Sequence, residues 1–319
     1  MNSKETSLWR FIYEMLLKQK PVVLLCVLES SGSSPGRQGF KMAVTEDELY
    51  GSIGGGIMEH KFVEMAKDLM RKNKEEVLVK KQVHSKNSTF QSGMICSGEQ
   101  TVAVYPVHVD ASVVLQIAIA IEKNKNGTFH LSPQGFSYSE STPANDAISF
   151  QKISESDWLY TEKTGYKNIL TIIGGGHVSF AFSRLMSNMD FYIRVIDDRP
   201  GLNTLDQNQF AHEKILITYD DLSNFLSEGE NSYVVIMTFG YRSDGIVVCQ
   251  LLNKNFRYLG LLGSKAKIKK MLIELEEEGF DPVVIQKLHA PVGITINSRT
   301  PDEIAVSIAA EIIQEKNKV

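Results

Sequence analysis

The chain has 319 residues, 43% apolar and 23% charged, with a formal net charge of −4, an ordinary balance for a chain with a real core and a length that suggests two domains. There is no basic footprint for nucleic acid, the longest apolar run (Val22 to Leu28) falls far short of the ~20 residues of a membrane helix, and the N-terminus lacks an apolar secretory core. Cys26, Cys96 and Cys249 are odd in number and widely spaced, which fits reduced thiols in a soluble, cytoplasmic protein.

Leu8, Phe11, Ile12, Met15 and Leu16 fall at helical spacing before Pro21, and Val22 to Leu28 then reads as a buried strand. Glu29 to Gly39 is too rich in Gly, Ser and Pro for regular structure and is expected to be a loop. A strand pair at Lys41 to Thr45 and Glu48 to Ile53 leads into Gly54-Gly55-Gly56, and Ile57 to Met70 continues as a helix. Strands at Glu76 to Val83 and Gln100 to His108 bracket a polar loop containing Cys96, and Asp110 to Lys123 is helical. Residues 1–123 thus form a small N-terminal α/β domain. Residues 124–167, rich in Asn, Ser, Thr and Gly, are expected to be an irregular connector with two short strands around Phe129 and Trp158.

Residues 168–319 alternate strand and helix, with strands that are apolar throughout: Asn168 to Ile173, Phe191 to Ile196, Glu213 to Ile217, Tyr233 to Thr238 and Tyr258 to Leu262. Continuous rather than alternating hydrophobicity indicates a parallel sheet covered on both faces, hence a Rossmann-like α/β domain. Thr300-Pro301-Asp302-Glu303 spells a capped start for the last helix.

The second triple glycine, Gly174-Gly175-Gly176, follows the first of these strands and precedes His177 and a helix. Glycine there permits a tight turn and close backbone approach to a pyrophosphate, while the first helical N–H groups and the helix dipole favour an anion. Asp197 ends the next strand, 23 positions after Gly174, near the ~20 expected of a ribose-binding acid. Arg199 is placed to meet a 2′-phosphate, and NAD(P) is the implied ligand. Gly263-Ser264-Lys265, between a strand and a Lys-rich helix, is a second anion candidate on the same edge. The alternatives are a turn retained without its ligand and a solvated basic helix face.

Around the first triple glycine stand Ser33-Ser34-Pro35-Gly36-Arg37, Gly51 to Glu59 and Ser92 to Glu99; further on come Gly260 to Lys265, His289 to Gly293 and Thr300 to Ile308. In this order these segments resemble the xanthine dehydrogenase accessory factor family of the XdhC/CoxI type, over nearly the whole chain. The resemblance implies a cofactor chaperone rather than a catalyst. Such a protein binds molybdenum cofactor (molybdopterin) while a cysteine desulfurase supplies the sulfido ligand, then delivers it to a molybdenum hydroxylase client, usually as a homodimer. On that reading Arg37 and Gly54 to Gly56 would cradle the pterin phosphate and Cys96 would face molybdenum as a thiolate. Ile57 stands where many members carry a cysteine, and Phe239 to Asp244 replaces a His-rich turn. An NAD(P)-dependent oxidoreductase and a nucleotide-sensing regulator are the competing readings. The first needs a proton donor, for which His177 and His289 lack an orienting partner in sequence.

Overall fold

The computed structural model describes residues 4–83, 98–108, 110–123, 125, 127–140, 148–154, 156–189 and 191–318. The chain divides into two compact units, Asn2–Gly165 and Tyr166–Val319. Among the described residues no helix is long and apolar enough to cross a membrane.

The first unit begins with helix α1 (Lys4–Leu17), strands β1 (Val23–Gly32), β2 (Lys41–Val44) and β3 (Leu49–Gly51), helix α2 (Gly56–Arg71), strands β4 (Leu78–Val83) and β5 (Gly98–Pro106), and helix α3 (Ala111–Glu122). Its strands form an antiparallel sheet in the order β3-β2-β1-β5-β4. The period of two along β1 decides which residues meet which layer. Val23, Leu25 and Val27 pack with Phe62, Val63 and Ala66 of α2, while Leu24, Cys26 and Leu28 join the opposite core with Trp9, Ile12 and Ile117 of α1 and α3. Glu29 to Gly32, expected to be loop, instead extend β1 along β5 after a register shift at Val27/Glu29. A partner strand supplies the hydrogen bonds that local composition does not promise.

Residues 127–140, 148–154 and 156–164 also differ from the irregular connector read in the sequence. Strands β6 (Gly127–Ser132), β7 (Gly135–Ser139), β8 (Ile148–Lys152) and β9 (Trp158–Thr164) form a second antiparallel sheet in the order β7-β6-β9-β8. Phe129, Leu131, Trp158 and Tyr160 point into the α1–α3 core, and the Trp9 and Phe129 rings lie 5.1 Å apart. The strands are short and their intervening positions polar, so the alternation is hidden among Ser, Thr and Gly. A buried ion pair joins the two sheets: Lys41 of β2 bonds Glu162 of β9, which also accepts from Tyr160 Oη at 2.8 Å.

The second unit runs β10 (Asn168–Ile173), α4 (His177–Met186), β11 (Phe191–Asp197), α5 (Asn203–Asp206), β12 (Glu213–Leu216), α6 (Leu222–Phe225), β13 (Gly229–Ile236), α7 (Tyr241–Leu251), β14 (Phe256–Leu261), α8 (Lys265–Glu277), α9 (Pro282–Ile285), β15 (Leu288–His289) and α10 (Pro301–Lys316). All strand pairs are parallel and the order is β12-β11-β10-β13-β14-β15, which is the doubly wound dinucleotide-fold order. Leu170, Ile172, Ile193 and Val195 face α4 and α10, whereas Ile173, Ile196, Val234 and Ile236 face α7 and α8. Both faces are dry, which is why the strands read as continuous apolar runs. The expected Thr300 capping box closes with Glu303 at the start of α10.

His212 sits beside β11, just before β12 begins. Its Nδ1 accepts from Ile193 N at 3.0 Å, so Nε2 carries the proton, 2.6 Å from Tyr166 Oη. Burial pushes its pKa down from 6.5 to about 4.

Two outcomes are expected. Lys41→Met leaves the Glu162 carboxylate buried without its cation and should cost about 3–5 kcal/mol in urea unfolding; adding Glu162→Gln, which still accepts from Tyr160, should recover most of it. A loss below about 1 kcal/mol in the single variant would show that the pair does not hold the sheets together. His212 binds protons more weakly in the folded chain, so its contribution is complete above about pH 6.5 and disappears as pH falls toward about 4, a change of up to about 3 kcal/mol. His212→Gln should flatten the stability profile in that window.

Candidate functional site

In an open parallel sheet, ligands gather at the carboxyl ends of strands where the order reverses. Here that point lies between β10 and β13, whose following turns are Gly174 to Gly176 and Thr238 to Gly240. Gly174 is required by shape: φ is +111° and an added Cβ would lie 2.2 Å from Met237 O. Its N–H donates to Ile196 O at 2.7 Å. Gly175 is fastened on both sides, its N–H donating to Asp197 Oδ2 at 2.6 Å and its carbonyl accepting from Thr204 Oγ1 at 2.5 Å.

Gly176 and Gly240 are different. They are the N-caps of α4 and α7, their backbones are extended (φ −72° and −151°), and an added Cβ at either meets nothing within 4 Å. Neither strain nor crowding demands glycine there. A Ser, Thr, Asp or Asn would cap the helix better, as Ser264 caps α8 and Thr300 caps α10. Among the described residues no side chain caps α4 or α7, so both helices bordering the order reversal present open N–H groups. His177, the first residue of α4, is exposed.

Asp197, expected to hold a ribose hydroxyl, is fully buried and committed to the chain itself. Besides Gly175 N it accepts from Arg199 N at 2.9 Å, Nε at 2.8 Å and Nη2 at 2.7 Å. Burial opposes its charge, but these donors outweigh it and hold the carboxyl below its ordinary range. The Arg199 guanidinium lies 5.3 Å over the ring of Phe239, which is 85% exposed.

Gly263-Ser264-Lys265 is a closed helix start: the Ser264 hydroxyl accepts from Lys267 N at 3.3 Å and Lys265 is exposed. Lys267 pairs with buried Asp244, whose other oxygen accepts Thr238 N at 3.1 Å and Thr238 Oγ1 at 2.6 Å. Asp244 therefore fixes the turn after β13. His289 gains an orienting carboxylate that sequence spacing does not reveal. Its Nδ1 lies 3.1 Å from Glu311 Oε1, while Glu311 Oε2 accepts from Tyr258 Oη and Gly293 N. That cluster is at β15, separated from β13 by β14.

The first glycine turn is also occupied from within. Gly54, Gly55 and Gly56 all have positive φ (124°, 75° and 72°). Glu59 folds back from α2, its Oε2 accepting from Ser52 Oγ at 2.6 Å, Ile53 N at 2.8 Å and Gly55 N at 2.9 Å. The Glu59 carboxylate thus lies in the turn expected to cradle a phosphate and takes up two of its backbone donors. Arg37 is exposed and donates to Gly32 O at 3.1 Å, and Ile57 is exposed. Gln100 anchors the Ser33 to Gly36 loop by accepting from Ser34 Oγ and Gly36 N. Cys96 lies outside the described residues. Burial pushes the Cys26 thiol up to about 12 and the Cys249 thiol up to about 11, so neither is a thiolate at neutral pH. Among the described residues no group of three or more His, Cys, Asp and Glu could hold a metal ion.

Sequence reasoning missed Gly240 and the cap-free start of α7. The signal was a Gly four residues after the fourth strand of the parallel sheet and directly before a helix, the counterpart of Gly176 across the reversal of order.

Several known proteins are similar to this chain. A probable xanthine dehydrogenase subunit of Bacillus subtilis (strain 168) is 28% identical over 161 residues, 50% of this chain and 47% of that protein. The uncharacterized protein YqeB of Escherichia coli (strain K12) is 25% identical over 301 residues, 93% of this chain and 44% of its own length. The chain spans less than half the length of these curated relatives. The crystal structure of a xanthine dehydrogenase from Bacillus halodurans is similar with a TM-score of 0.71 at 25% identity, covering 99% of this chain and 96% of that one. Residues 15–80 match the XdhC and CoxI family, and residues 170–312 match the XdhC Rossmann domain. With both matches in order along one chain, and the second falling on the parallel-sheet unit that carries the glycine turn, the chain belongs to the XdhC/CoxI family.

Proposed function

We propose that this protein is an accessory factor for a xanthine dehydrogenase-type molybdenum hydroxylase, and that it holds a phosphate-bearing cofactor at the order reversal of its Rossmann unit. The observation that carries this reading is the pair of unforced glycine N-caps, Gly176 and Gly240, which leave α4 and α7 open where they border the crevice's two turns. Molybdopterin brings a phosphate and a flat polar ring. Its phosphate suits these N–H groups, and the exposed face of Phe239 suits a planar ring.

The fit differs elsewhere. Glu59 stands where a phosphate at Gly54 to Gly56 would sit, and the Cys26 and Cys249 thiols are protonated at neutral pH. The described residues therefore fit a cofactor gripped by its phosphate rather than by a protein–metal bond. When bound, the cofactor supplies the redox centre that the client hydroxylase uses. The chain's own residues orient and shelter it: Gly174 and Asp197 fix the turn, and Asp244 fixes its counterpart. On this reading the chain assists sulfuration and insertion of the cofactor, with a cysteine desulfurase as partner and a homodimer as its working state.

Gly176→Asp separates fold from function. The new carboxylate caps α4 in open space, so stability should hold or rise by a few tenths of a kcal/mol. The same charge occupies the anion site, and pterin retained through purification, read by fluorescence after oxidation, should fall about tenfold or more. Retention equal to the wild type in a folded Gly176→Asp protein would overturn the assignment to this turn.

A further inference from the structure

The acid at the end of β11 is the usual mark of a site for a ribose 2′-hydroxyl, yet here it has nothing left to offer one. Asp197 Oδ1 accepts from Arg199 N and Nε, and Oδ2 accepts from Gly175 N and Arg199 Nη2. A carboxylate has about four lone-pair sites, and all are used inside a residue that is fully buried. A hydroxyl arriving at this position would have to break a charge-assisted bond and leave a buried donor unpaired, a net unfavourable exchange.

Arg199 is the opposite case. Its side chain is 35% exposed, its Nη1 is not used by Asp197, and its plane is held over the exposed Phe239 ring. The fork is fixed by a bidentate grip on one side and still has donors to present on the other.

We propose that the Asp197–Arg199 pair makes this crevice selective for ligands that bring a phosphate monoester to the end of β11, and selective against dinucleotides whose ribose offers only a 2′-hydroxyl. The inference rests on the phosphate-binding reading of the same crevice. It reverses the expectation that a terminal acid signals a free ribose. A 2′-phosphonucleotide of the NADP class carries the required group in addition to the pyrophosphate that the open starts of α4 and α7 would take; a pterin monophosphate has one phosphate and fills only one of the two positions, so on the pterin reading that phosphate lies at Arg199 instead.

The test uses the full chain and calorimetric titration with matched pairs: 2′,5′-ADP against 5′-AMP, NADP against NAD, and a 6-hydroxymethylpterin phosphate against the free pterin. The monoester of at least one class should bind about tenfold tighter than its partner. Because the monoester gains its second charge near pH 6, the advantage should shrink between about pH 7.5 and about pH 5. Arg199→Lys keeps a cation beside Asp197 but removes the fork, and should bring the ratio below about threefold. The wild-type pH series tests the same point should that variant fail to fold. Discrimination confined to the nucleotide pairs identifies a 2′-phosphonucleotide, and discrimination confined to the pterin pair identifies the pterin. Binding without discrimination in any pair overturns the selectivity alone. No binding by any of the ligands overturns both the selectivity and the phosphate-binding reading beneath it.

Discussion

A backbone N–H removed from water must find an acceptor, and this constraint shapes the turns at Gly55, Gly175 and Gly293. Glycine lets the chain bend tightly, but tight turns aim several N–H groups into one small space. In three places the chain answers with its own carboxylate: Glu59 takes Ile53 N and Gly55 N, Asp197 takes Gly175 N, and Glu311 takes Gly293 N. Each acid is held below its ordinary range despite the opposing cost of burial. The starts of α2, α4 and α7 carry a glycine N-cap and no side-chain cap, and only at α4 and α7 is that glycine free of a positive φ.

The same accounting explains how the turns stay rigid. Asp197 is locked by Arg199, and Asp244 by Lys267, so the two turns that flank the order reversal are each pinned by a buried carboxylate paired to a cation. Such pairs add little net stability because desolvation offsets attraction. They do fix geometry, since moving either partner strands a buried charge. The Lys41–Glu162 pair plays this part between the two sheets of the first unit. Apolar burial drives each unit to collapse, at about 1.5–3 kcal/mol per large side chain.

Much of this was legible in the residues. The parallel sheet was legible because a strand buried on both faces must be apolar at every position, as Asn168 to Ile173 and Phe191 to Ile196 nearly are. Gly174 was legible as a tight turn because few other residues adopt its φ. The sheet over 127–164 was not, because its short strands bury only alternate residues and their polar positions resemble a loop. Its stability comes from Trp9, Phe129 and Trp158 meeting across elements far apart in sequence.

The site divides along the same line. The strand–turn–helix order, the family resemblance and the positions of the glycines and acids could all be read from the residues, because they follow from local conformation and spacing. Who bonds to whom could not. That Asp197 bonds Arg199 and Gly175, and that Glu59 turns back to Gly55, is visible only in the folded chain. These points were settled by the folded chain alone, because a carboxylate's partners depend on ångström distances between segments that sequence spacing does not set.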